Sequence, residues 1–463
     1  MKLTVVGANG FVGQQLVRRL VGDGHQVRAV VRASLTDGPA GVQVVTGDVG
    51  DPASMAPALD GADAAYYLVH SMAASAAFRE MDRELATKFG VACSAAGVGR
   101  IVYLGALGED PASEHLASRQ EVGESLAAAG TPLVELRAAV VLGAGSVSFE
   151  MLRYLTERLP FMVCPRWVAT RIQPIGADQL LDALVAALDV PPGTHEVGGA
   201  EVTTYRAMIE AYARARGLRR RLIVDIPLLT PRLSSYWVDL VTPVDRKVSH
   251  ALIESLTTEV VVRTPPWPSL VPAGGGVDAA ISQALKHQEH DIERTLFDRA
   301  EGLADGVYVH RVEAAVADAS AVAANLFTVG GSVGWYGVAW GWQLRRLAGR
   351  LVGERWKPGR PSDGLVVGSV VDWWTIARLD HDALILRSRE WFPGEAWLGY
   401  ELRADRLVQV GAFRPKGIPG LLYWKLLEPA HRVVFRRMAR TRANFTTDHT
   451  SRKLAPTSTG LGH

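Results

Sequence analysis

The chain has 463 residues, of which 48% are hydrophobic and 21% are charged. One packed domain uses about 100–200 residues, so this length predicts two or three packed units. The 50 Lys and Arg residues nearly balance the 48 Asp and Glu residues, leaving a net charge of +2. This composition excludes a disordered chain, and this balance excludes a global field that recruits nucleic acid.

The cysteines and the first residues indicate where the protein resides. Cys93 and Cys164 cannot form a disulfide framework and lack the spacing of metal ligands. We therefore expect no metal and a reducing, cytoplasmic location. Residues 1–6 have the pattern of a strand, not of a signal peptide. The uncharged run 319–344 is long enough to span a membrane, but five glycines and several polar residues argue against a span.

From residue 1 to about residue 141, short β-branched runs alternate with helical stretches. This alternation predicts an α/β domain with a Rossmann-like, doubly wound parallel sheet and helices on both faces. The predicted strands are Leu3–Val6, Val27–Val31, Val42–Thr46, Ala64–Leu68, Arg100–Leu104 and Leu133–Leu136. The predicted helices are Phe11–Val21, Ala76–Ala96 and Glu114–Ala128.

The pattern from residue 143 to 263 is mixed, and we expect it to complete the first domain, residues 1–263. Its predicted helices are Phe149–Arg158, Ala177–Leu188 and Tyr205–Arg216. Residues 264–276 hold the densest Pro and Gly in the chain and predict a linker. A second domain, residues 277–441, and a flexible tail, residues 442–463, are expected to follow.

Strand patterns dominate the second domain and predict an antiparallel, helix-grip-like α+β fold with a concave aromatic interior. The predicted strands are Val307–Ala315, Leu365–Ile376, Ala383–Ser388, Ala396–Leu402 and Leu407–Phe413. The predicted helices are Gln283–Gly302, Trp340–Val352 and Gly420–Arg440. We expect Pro429 to split the last of these, because proline cannot donate the backbone hydrogen bond of a helix interior.

A glycine motif between the first strand and the first helix carries the clearest functional signal. Gly7-Ala8-Asn9-Gly10-Phe11-Val12-Gly13 has the GxxGxxG spacing. Gly7 allows a tight turn, Gly10 lets the backbone approach a pyrophosphate, and Gly13 lets the helix pack close to the sheet. The free N–H groups of the helix N-terminus then face the phosphates. The motif, including Asn9, Phe11 and Val12, predicts a dinucleotide site.

The ends of the next two strands indicate which dinucleotide binds. A site for NAD(H) usually has Asp or Glu near the end of the second strand, where it bonds the ribose 2′-hydroxyl. Here Arg32 follows that strand, and the next carboxylate is Asp37. A guanidinium suits a 2′-phosphate, which predicts NADP(H) in preference to NAD(H). A solvated surface arginine is the alternative. Asp48, before Val49, is placed to accept a hydrogen bond from the adenine amino group.

Several motifs together resemble a known combination of two domains. Residues 1–260 resemble the NmrA-like, NAD(P)-binding kind of atypical short-chain dehydrogenase/reductase. The matching pieces are Gly7–Gly13, Val30–Arg32, Gly47–Val49, Tyr67–Met72 and His115–Arg119. The C-terminal third resembles a DUF2867 domain, through pieces such as Pro393–Leu398 and Phe413–Gly417. The resemblance implies that His70, within the fourth piece, contributes to the cofactor site.

The same resemblance implies a catalytic Ser, Tyr and Lys, with Tyr and Lys four residues apart on one helix. Here His115 and Arg119 occupy that spacing, and the strand that usually supplies Ser reads Leu104-Gly105-Ala106. Histidine donates a proton near neutral pH, and Arg119 is placed to hold the nicotinamide ribose. The alternative is that His115 caps a helix and Arg119 is structural.

The resemblance also implies that the region after the sheet contacts a small-molecule substrate. The candidate lining residues are Phe149, Arg153, Arg166, Trp167 and Gln173, each of which has core packing as its alternative. Two functions are compatible with these features: an NADPH-dependent reductase of a hydrophobic carbonyl or quinone-like molecule, and a non-catalytic NADP(H)-binding module. The sequence does not indicate an oligomeric state.

The last helix has a second interpretation. Apolar residues such as Leu422 and Leu426 precede a run of arginines, Arg432 to Arg442, which is a pattern of helices that lie on membranes. The residues Tyr423, Leu427, Ala430, Val434 and Met438 have the spacing of a core-facing stripe. We expect that stripe to face the core, and peripheral membrane contact is the alternative.

Overall fold

The structure is a computed structural model that describes residues 1–32, 41–69, 78–108, 114–225, 242, 256–304, 306–330, 359–361, 364–389 and 393–444. The chain divides into two compact units, Met1–Gln288 and Glu289–His463. The division falls within a helix, after the segment 264–276 in which we predict a linker.

The N-terminal unit alternates strands and helices, as its sequence pattern predicts. Its strands are β1 (Lys2–Val6), β2 (Gln26–Val31), β3 (Val42–Thr46), β4 (Ala64–Tyr67), β5 (Arg100–Ala106), β6 (Leu133–Ala138), β7 (Val141–Leu142), β8 (Phe161–Cys164), β9 (Arg171–Ile172), β10 (Ile175–Gly176), β11 (Gly193–Val197), β12 (Thr203–Thr204) and β13 (Leu222–Asp225). Its helices are α1 (Phe11–Gly22), α2 (Pro52–Leu59), α3 (Phe78–Ala95), α4 (Glu114–Ala128), α5 (Val147–Arg158), α6 (Ala177–Ala186), α7 (Tyr205–Ala215) and α8 (Val277–Thr295), within which the unit ends.

Seven of these strands form one parallel sheet in the order β11-β6-β5-β4-β1-β2-β3. In the central pairs, Val5 lies beside Ala29 on β2 and beside Tyr66 on β4. The doubly wound fold is thus confirmed. The strand β11 was not predicted, because Thr194-His195-Glu196 interrupts the apolar run that marks a buried strand.

Alternate residues of the sheet point into two separate cores. On one face, Leu3 and Val5 of β1 pack in a cluster with residues of α1 and α6. On the other face, Val6 joins a cluster with residues of α2, α3 and α4. Because side chains alternate along a strand, the near-continuous apolar strands supply both cores at once.

The rest of the N-terminal unit forms a smaller subdomain. Its strands pair in twos: β10 with β7, β12 with β9 and β13 with β8. Its core contains Phe149 of α5 and Tyr212 of α7, whose rings meet edge to face at 5.8 Å. The segment 264–276 packs on this unit, because Leu270 is buried in the sheet core and the Ala273 carbonyl accepts a hydrogen bond from Gln179.

The C-terminal unit is an antiparallel sheet with a long helix, as predicted. Its strands are β14 (Gly302–Ala304), β15 (Val307–Ala315), β16 (Val370–Val371), β17 (Trp374–Leu379), β18 (Ala383–Ser388), β19 (Gly394–Arg403) and β20 (Arg406–Pro415), and its helices are α9 (Ala319–Asn325) and α10 (Gly417–Ala443). The sheet order is β14-β15-β20-β19-β18-β17-β16.

Helix α10 packs closely on this sheet through aromatic rings. The indole of Trp424 stacks on Phe413 at 5.1 Å and on Tyr308 at 5.4 Å, measured between ring centroids. A Cβ at Gly411 of β20 would lie 2.3 Å from the Phe435 ring, so only glycine allows this approach. The predicted aromatic interior is therefore the contact between helix and sheet.

Two expectations about this helix were wrong. Pro429 does not split it, because burial of Trp424 before the proline and Met438 after it holds one continuous helix against the sheet. The predicted core stripe is also wrong in part: Leu427 and Ala430 are exposed, Tyr423 and Val434 are half-buried, and Met438 is buried as predicted.

Three further segments differ from their prediction or lie outside the described residues. The predicted strand Leu365–Ile376 is interrupted by turns, one of which has Asp372 at a φ of 54°. The predicted helix Trp340–Val352 lies outside the described residues. Arg442 is buried and donates to the Asn325 carbonyl at 3.1 Å, so α10 extends two residues into the predicted tail, whose remainder 445–463 is not described.

None of the helices within the described ranges is long and apolar enough to cross a membrane. Of the uncharged run 319–344, residues 319–330 are described and form the short helix α9 and a following turn.

Candidate functional site

The order of the parallel sheet locates a candidate site. The chain passes outward from β1 through β2 to β3 and then crosses to β4, on the opposite side of β1. The strands β1 and β4 therefore form the topological switch point of the sheet, and ligands of open parallel sheets bind outside the carboxyl ends of the strands at such a point. The turn after Val6, which holds the glycine motif, lies at this edge.

Backbone geometry accounts for two of the three glycines. Gly7 has a φ of +83°, and a Cβ there would lie 2.7 Å from the Leu68 carbonyl oxygen. A Cβ at Gly13 would lie 2.2 Å from the Gly7 carbonyl oxygen, so glycine lets α1 start directly against the turn. The Gly10 N–H donates to the Gly7 carbonyl at 3.0 Å and closes the turn.

Gly10 differs, because the turn itself leaves room for a side chain there. Among the described residues, a Cβ at Gly10 would have one neighbour within 4 Å, the Gly7 carbonyl oxygen at 3.3 Å. Gly10 caps α1 without a side-chain hydrogen bond, and the first turn of the helix has no acidic residue. The free N–H groups of this helix end suit a pyrophosphate, and glycine leaves the approach open.

The other residues of the motif support this turn. Asn9 is exposed, and its carbonyl accepts a hydrogen bond from Gln14 at 2.9 Å. Phe11 and Val12 are half-buried; Phe11 packs against Gly143, where a Cβ would lie 2.7 Å from the ring. Their backbone, not their side chains, is what the helix end presents to an anion.

Arg32 and Asp48 follow the ends of β2 and β3. Arg32 is exposed, and within the part of the chain that the structure describes it has no hydrogen-bond or ion-pair partner. Asp48 is exposed and holds its turn by accepting from the Gly50 N–H at 2.8 Å. Val49 is buried in the core beside α2 and α3. Both polar side chains are thus available at the carboxyl edge of the sheet.

At the end of β5, Arg119 is engaged with the strand. Its guanidinium donates to the Leu104 carbonyl and lies 5.6 Å from the centre of the Tyr103 ring. The Tyr103 hydroxyl donates to the Arg119 carbonyl at 2.9 Å, and burial raises the pKa of Tyr103 to about 12. His115 lies in the first turn of the same helix, but its side chain and His70 lie outside the described residues.

The structure explains why β5 lacks a serine at this point. A Cβ at Gly105 would lie 2.7 Å from Oε1 of Glu135, and one at Gly123 of α4 would lie 2.8 Å from the same oxygen. The buried Glu135 carboxylate fills this space and accepts from Arg137 Nε at 3.0 Å and from Thr194 at 3.0 Å. Glu135 and Arg137 are two apart on one strand, which is the sequence signal for this pair.

Comparison with known families agrees with the geometry of the turn. Residues 7–140 match a family described as NAD(P)H-binding. Residues 303–438 match DUF2867, described as a protein of unknown function. The chain joins an NAD(P)H-binding domain to a DUF2867 domain. The coarse resemblance of both parts is thereby confirmed.

Two curated relatives match parts of this chain. A 2-alkyl-3-oxoalkanoate reductase of Stenotrophomonas maltophilia is 38% identical over 110 residues, which are 22% of this chain and 32% of the relative. A ceramide reductase of Caulobacter vibrioides is 27% identical over 166 residues, which are 35% of this chain and 52% of the relative. The matched part spans about a third and about half of these two proteins.

A solved structure has the same fold as the N-terminal unit. The triphenylmethane reductase of Citrobacter sp. is 18% identical, with a TM-score of 0.50, and the match covers 62% of this chain and 100% of that chain. At this identity the likeness concerns the fold alone.

In the subdomain of the NAD(P)H-binding unit, the predicted substrate residues make packing contacts. Phe149 is fully buried, and Arg153 is buried with its Nε donating to Glu150 at 2.8 Å. Trp167 meets Tyr205 edge to face at 5.8 Å. Phe149 and Trp167 thus contribute to the packed core of the subdomain.

Of the two remaining candidates, the structure describes the side chain of Gln173. Gln173 donates to the Gly199 carbonyl at 2.8 Å and accepts from the Val262 N–H at 3.0 Å, so it ties the loops of the subdomain together. The side chain of Arg166 lies outside the described residues. Among the described residues, the structure places the glycine motif, Arg32 and Asp48 at the carboxyl edge of the parallel sheet, and the described substrate candidates lie within the subdomain.

Proposed function

We propose that the protein is an NADPH-dependent reductase of a hydrophobic carbonyl or quinone-like small molecule. The observation that carries the proposal is the uncapped N-terminus of α1, with Gly10 leaving the approach open. An anion gains both the helix N–H groups and the positive end of the helix dipole at such a site. The family match over residues 7–140 supports a nicotinamide cofactor there.

The preference for NADPH rests on Arg32. An exposed guanidinium without a partner among the described residues can bond a 2′-phosphate at two points. Losing such a contact removes about 1.5–3 kcal/mol, so Arg32→Asp should weaken NADPH at least tenfold and improve NADH. Arg18→Asp is the matched control, because Arg18 is exposed on α1 and the substitution makes the same change of charge. Equal losses for both variants would contradict this role of Arg32.

Reduction of a carbonyl needs a proton as well as a hydride. NADPH, when bound, supplies the hydride to the substrate carbon. We propose that His115 gives the proton to the substrate oxygen, so that the carbonyl becomes an alcohol. Neutral histidine regains a proton readily at physiological pH. Arg119, one turn later at the end of β5, is proposed to hold the ribose of the nicotinamide.

The substrate class is proposed from the relatives. Two proteins that match parts of this chain are named as reductases, one of 2-alkyl-3-oxoalkanoates and one of ceramide. Each of those names refers to a compound with an apolar hydrocarbon part. A hydrophobic carbonyl compound is therefore the first class to test, and quinones are the second.

One observation favours the other function, a non-catalytic NADP(H)-binding module. The Glu135 carboxylate fills the space where a serine of β5 would project, so the usual catalytic set is not completed from this strand. A module of this kind would bind NADPH and reduce nothing. Both functions use the same glycine turn, and turnover separates them.

The test is anaerobic incubation with NADPH and a panel of 3-oxo esters, long-chain aldehydes and quinones. A reductase oxidises NADPH with at least one class of acceptor, and His115→Phe lowers turnover at least about a hundredfold while NADPH still binds. His290→Phe is the control, because His290 is exposed on α8. If NADPH is oxidised with none of the acceptors, the result favours the binding module. Normal turnover of His115→Phe would assign the proton to another group.

A further inference from the structure

The outer face of α10 carries large apolar side chains that the sheet does not cover. Leu422 is 57% exposed, Leu426 is 77% exposed and Val433 is 68% exposed. Their spacing of four and seven residues places them along one side of the helix. The opposite side packs on the sheet through Trp424 and Met438, which are 3% and 1% exposed. The apolar stripe is therefore not needed for the core of this unit.

Basic side chains flank this stripe, which we name the outer stripe (Leu422, Leu426 and Val433). Five exposed cations share the helix, namely Lys425, Arg432, Arg436, Arg437 and Arg440. The helix contains one acidic residue, Glu428, which pairs with Arg432 at 2.8 Å. The exposed charge of the helix is thus strongly positive, and a ligand for this face must be apolar and anionic together.

We propose that the outer stripe and its flanking cations dock on the surface of an anionic lipid bilayer. The apolar side chains would enter the boundary between headgroups and acyl chains, and the arginines would contact lipid phosphates. A helix of 27 residues is about 40 Å long, so the stripe and the cations can engage one flat surface together. This proposal does not depend on the proposed reductase activity.

The charges of the chain argue against other occupants of this face. A second copy would bring the same positive helix against it. The segment 331–358 has five basic residues and one acidic residue in its sequence, and 445–463 has Arg452 and Lys453 against Asp448. Neither segment has the net negative charge that would attract it to the cations of α10, whereas an anionic lipid surface has that charge.

Co-sedimentation with vesicles of phosphatidylglycerol and phosphatidylcholine tests the proposal. The full chain should bind these vesicles at low salt, bind pure phosphatidylcholine far less, and release at high salt. The variant L422S/L426S/V433S should lose at least tenfold in affinity. The variant R436Q/R437Q/R440Q should lose on the order of a hundredfold, since each cation near an anionic surface contributes about fivefold.

The matched control is L303S/V366S/V367S. It removes three exposed aliphatic side chains, 54%, 64% and 62% exposed, from the same unit and should bind vesicles like the wild type. Thermal midpoints within a few degrees of the wild type establish that the variants fold. Equal binding to neutral and anionic vesicles, equal losses in the control, or a dimer that L422S/L426S/V433S dissociates would each overturn the proposal.

Discussion

Gly13→Ala should lower the stability of the fold and Gly10→Ala should lower the affinity for NADPH, although the two positions are only three residues apart. At Gly13 the new Cβ would lie 2.2 Å from the Gly7 carbonyl oxygen and 2.9 Å from Cα of Ala8. Ordinary contact begins at 3.4 Å, so the helix must move by about 1.2 Å at its start. Overpacking of this kind costs about 1–3 kcal/mol.

At Gly10 the new methyl meets little of the protein. Within the part of the chain that the structure describes, its one neighbour would be the Gly7 carbonyl oxygen at 3.3 Å, and alanine at this capping position costs less than about 1 kcal/mol. The methyl would stand where the pyrophosphate approaches. We therefore expect Gly10→Ala to keep most of the stability and to lose at least tenfold in affinity for NADPH.

Two measurements separate the effects. Thermal unfolding followed by circular dichroism should give a midpoint about 2–12 °C lower for Gly13→Ala, at about 2–4 °C per kcal/mol. Fluorescence titration with NADPH should give the loss of affinity for Gly10→Ala. Gly22→Ala is the control, because a Cβ at that end of α1 would have no neighbour within 4 Å among the described residues. Unchanged NADPH affinity in Gly10→Ala would refute the assignment of the turn.

Three further predictions concern buried polar groups. Burial lowers the pKa of His431 to about 4. The unfolded chain therefore binds a proton more readily than the folded protein as the pH falls below about 6.5. Between pH 7 and pH 4, the unfolding free energy of the wild type, measured by urea titration, should fall about 3 kcal/mol more than that of His431→Phe. Glu157 accepts from Arg216 at 3.0 Å with both side chains buried, so Glu157→Ala should cost about 3–5 kcal/mol in the same assay, and a cost below 1 kcal/mol would contradict the pairing. Gly105→Ser should lower the thermal midpoint because Glu135 occupies its space, and a stable variant would show that the carboxylate can move aside.

The parallel sheet was predictable because its strands are buried on both faces and read as apolar runs. The glycine turn was predictable for a different reason: a left-handed φ at Gly7 and the close start of α1 at Gly13 leave glycine as the one residue that fits. Both signals lie within short stretches of sequence.

Features that depend on contacts distant in sequence were missed. The strand β11 is polar on one side because Thr194 bonds the Glu135 carboxylate, a contact 59 residues away. Pro429 was expected to break α10, but packing on both sides of it outweighs one lost hydrogen bond. Phe149 was predicted to line a substrate pocket because aromatic residues are common there. Its burial against Tyr212, which comes 63 positions later, could be known only from the fold.

Parallel calorimetric titrations of the wild-type protein with NADPH and with NADH test the central claim most directly. That claim is that the turn after β1 binds a dinucleotide and that Arg32 selects its 2′-phosphate. We expect one NADPH per chain, bound at least tenfold more tightly than NADH at low salt. Equal affinity for the two cofactors would contradict the role of Arg32, and no binding of either would contradict the site itself.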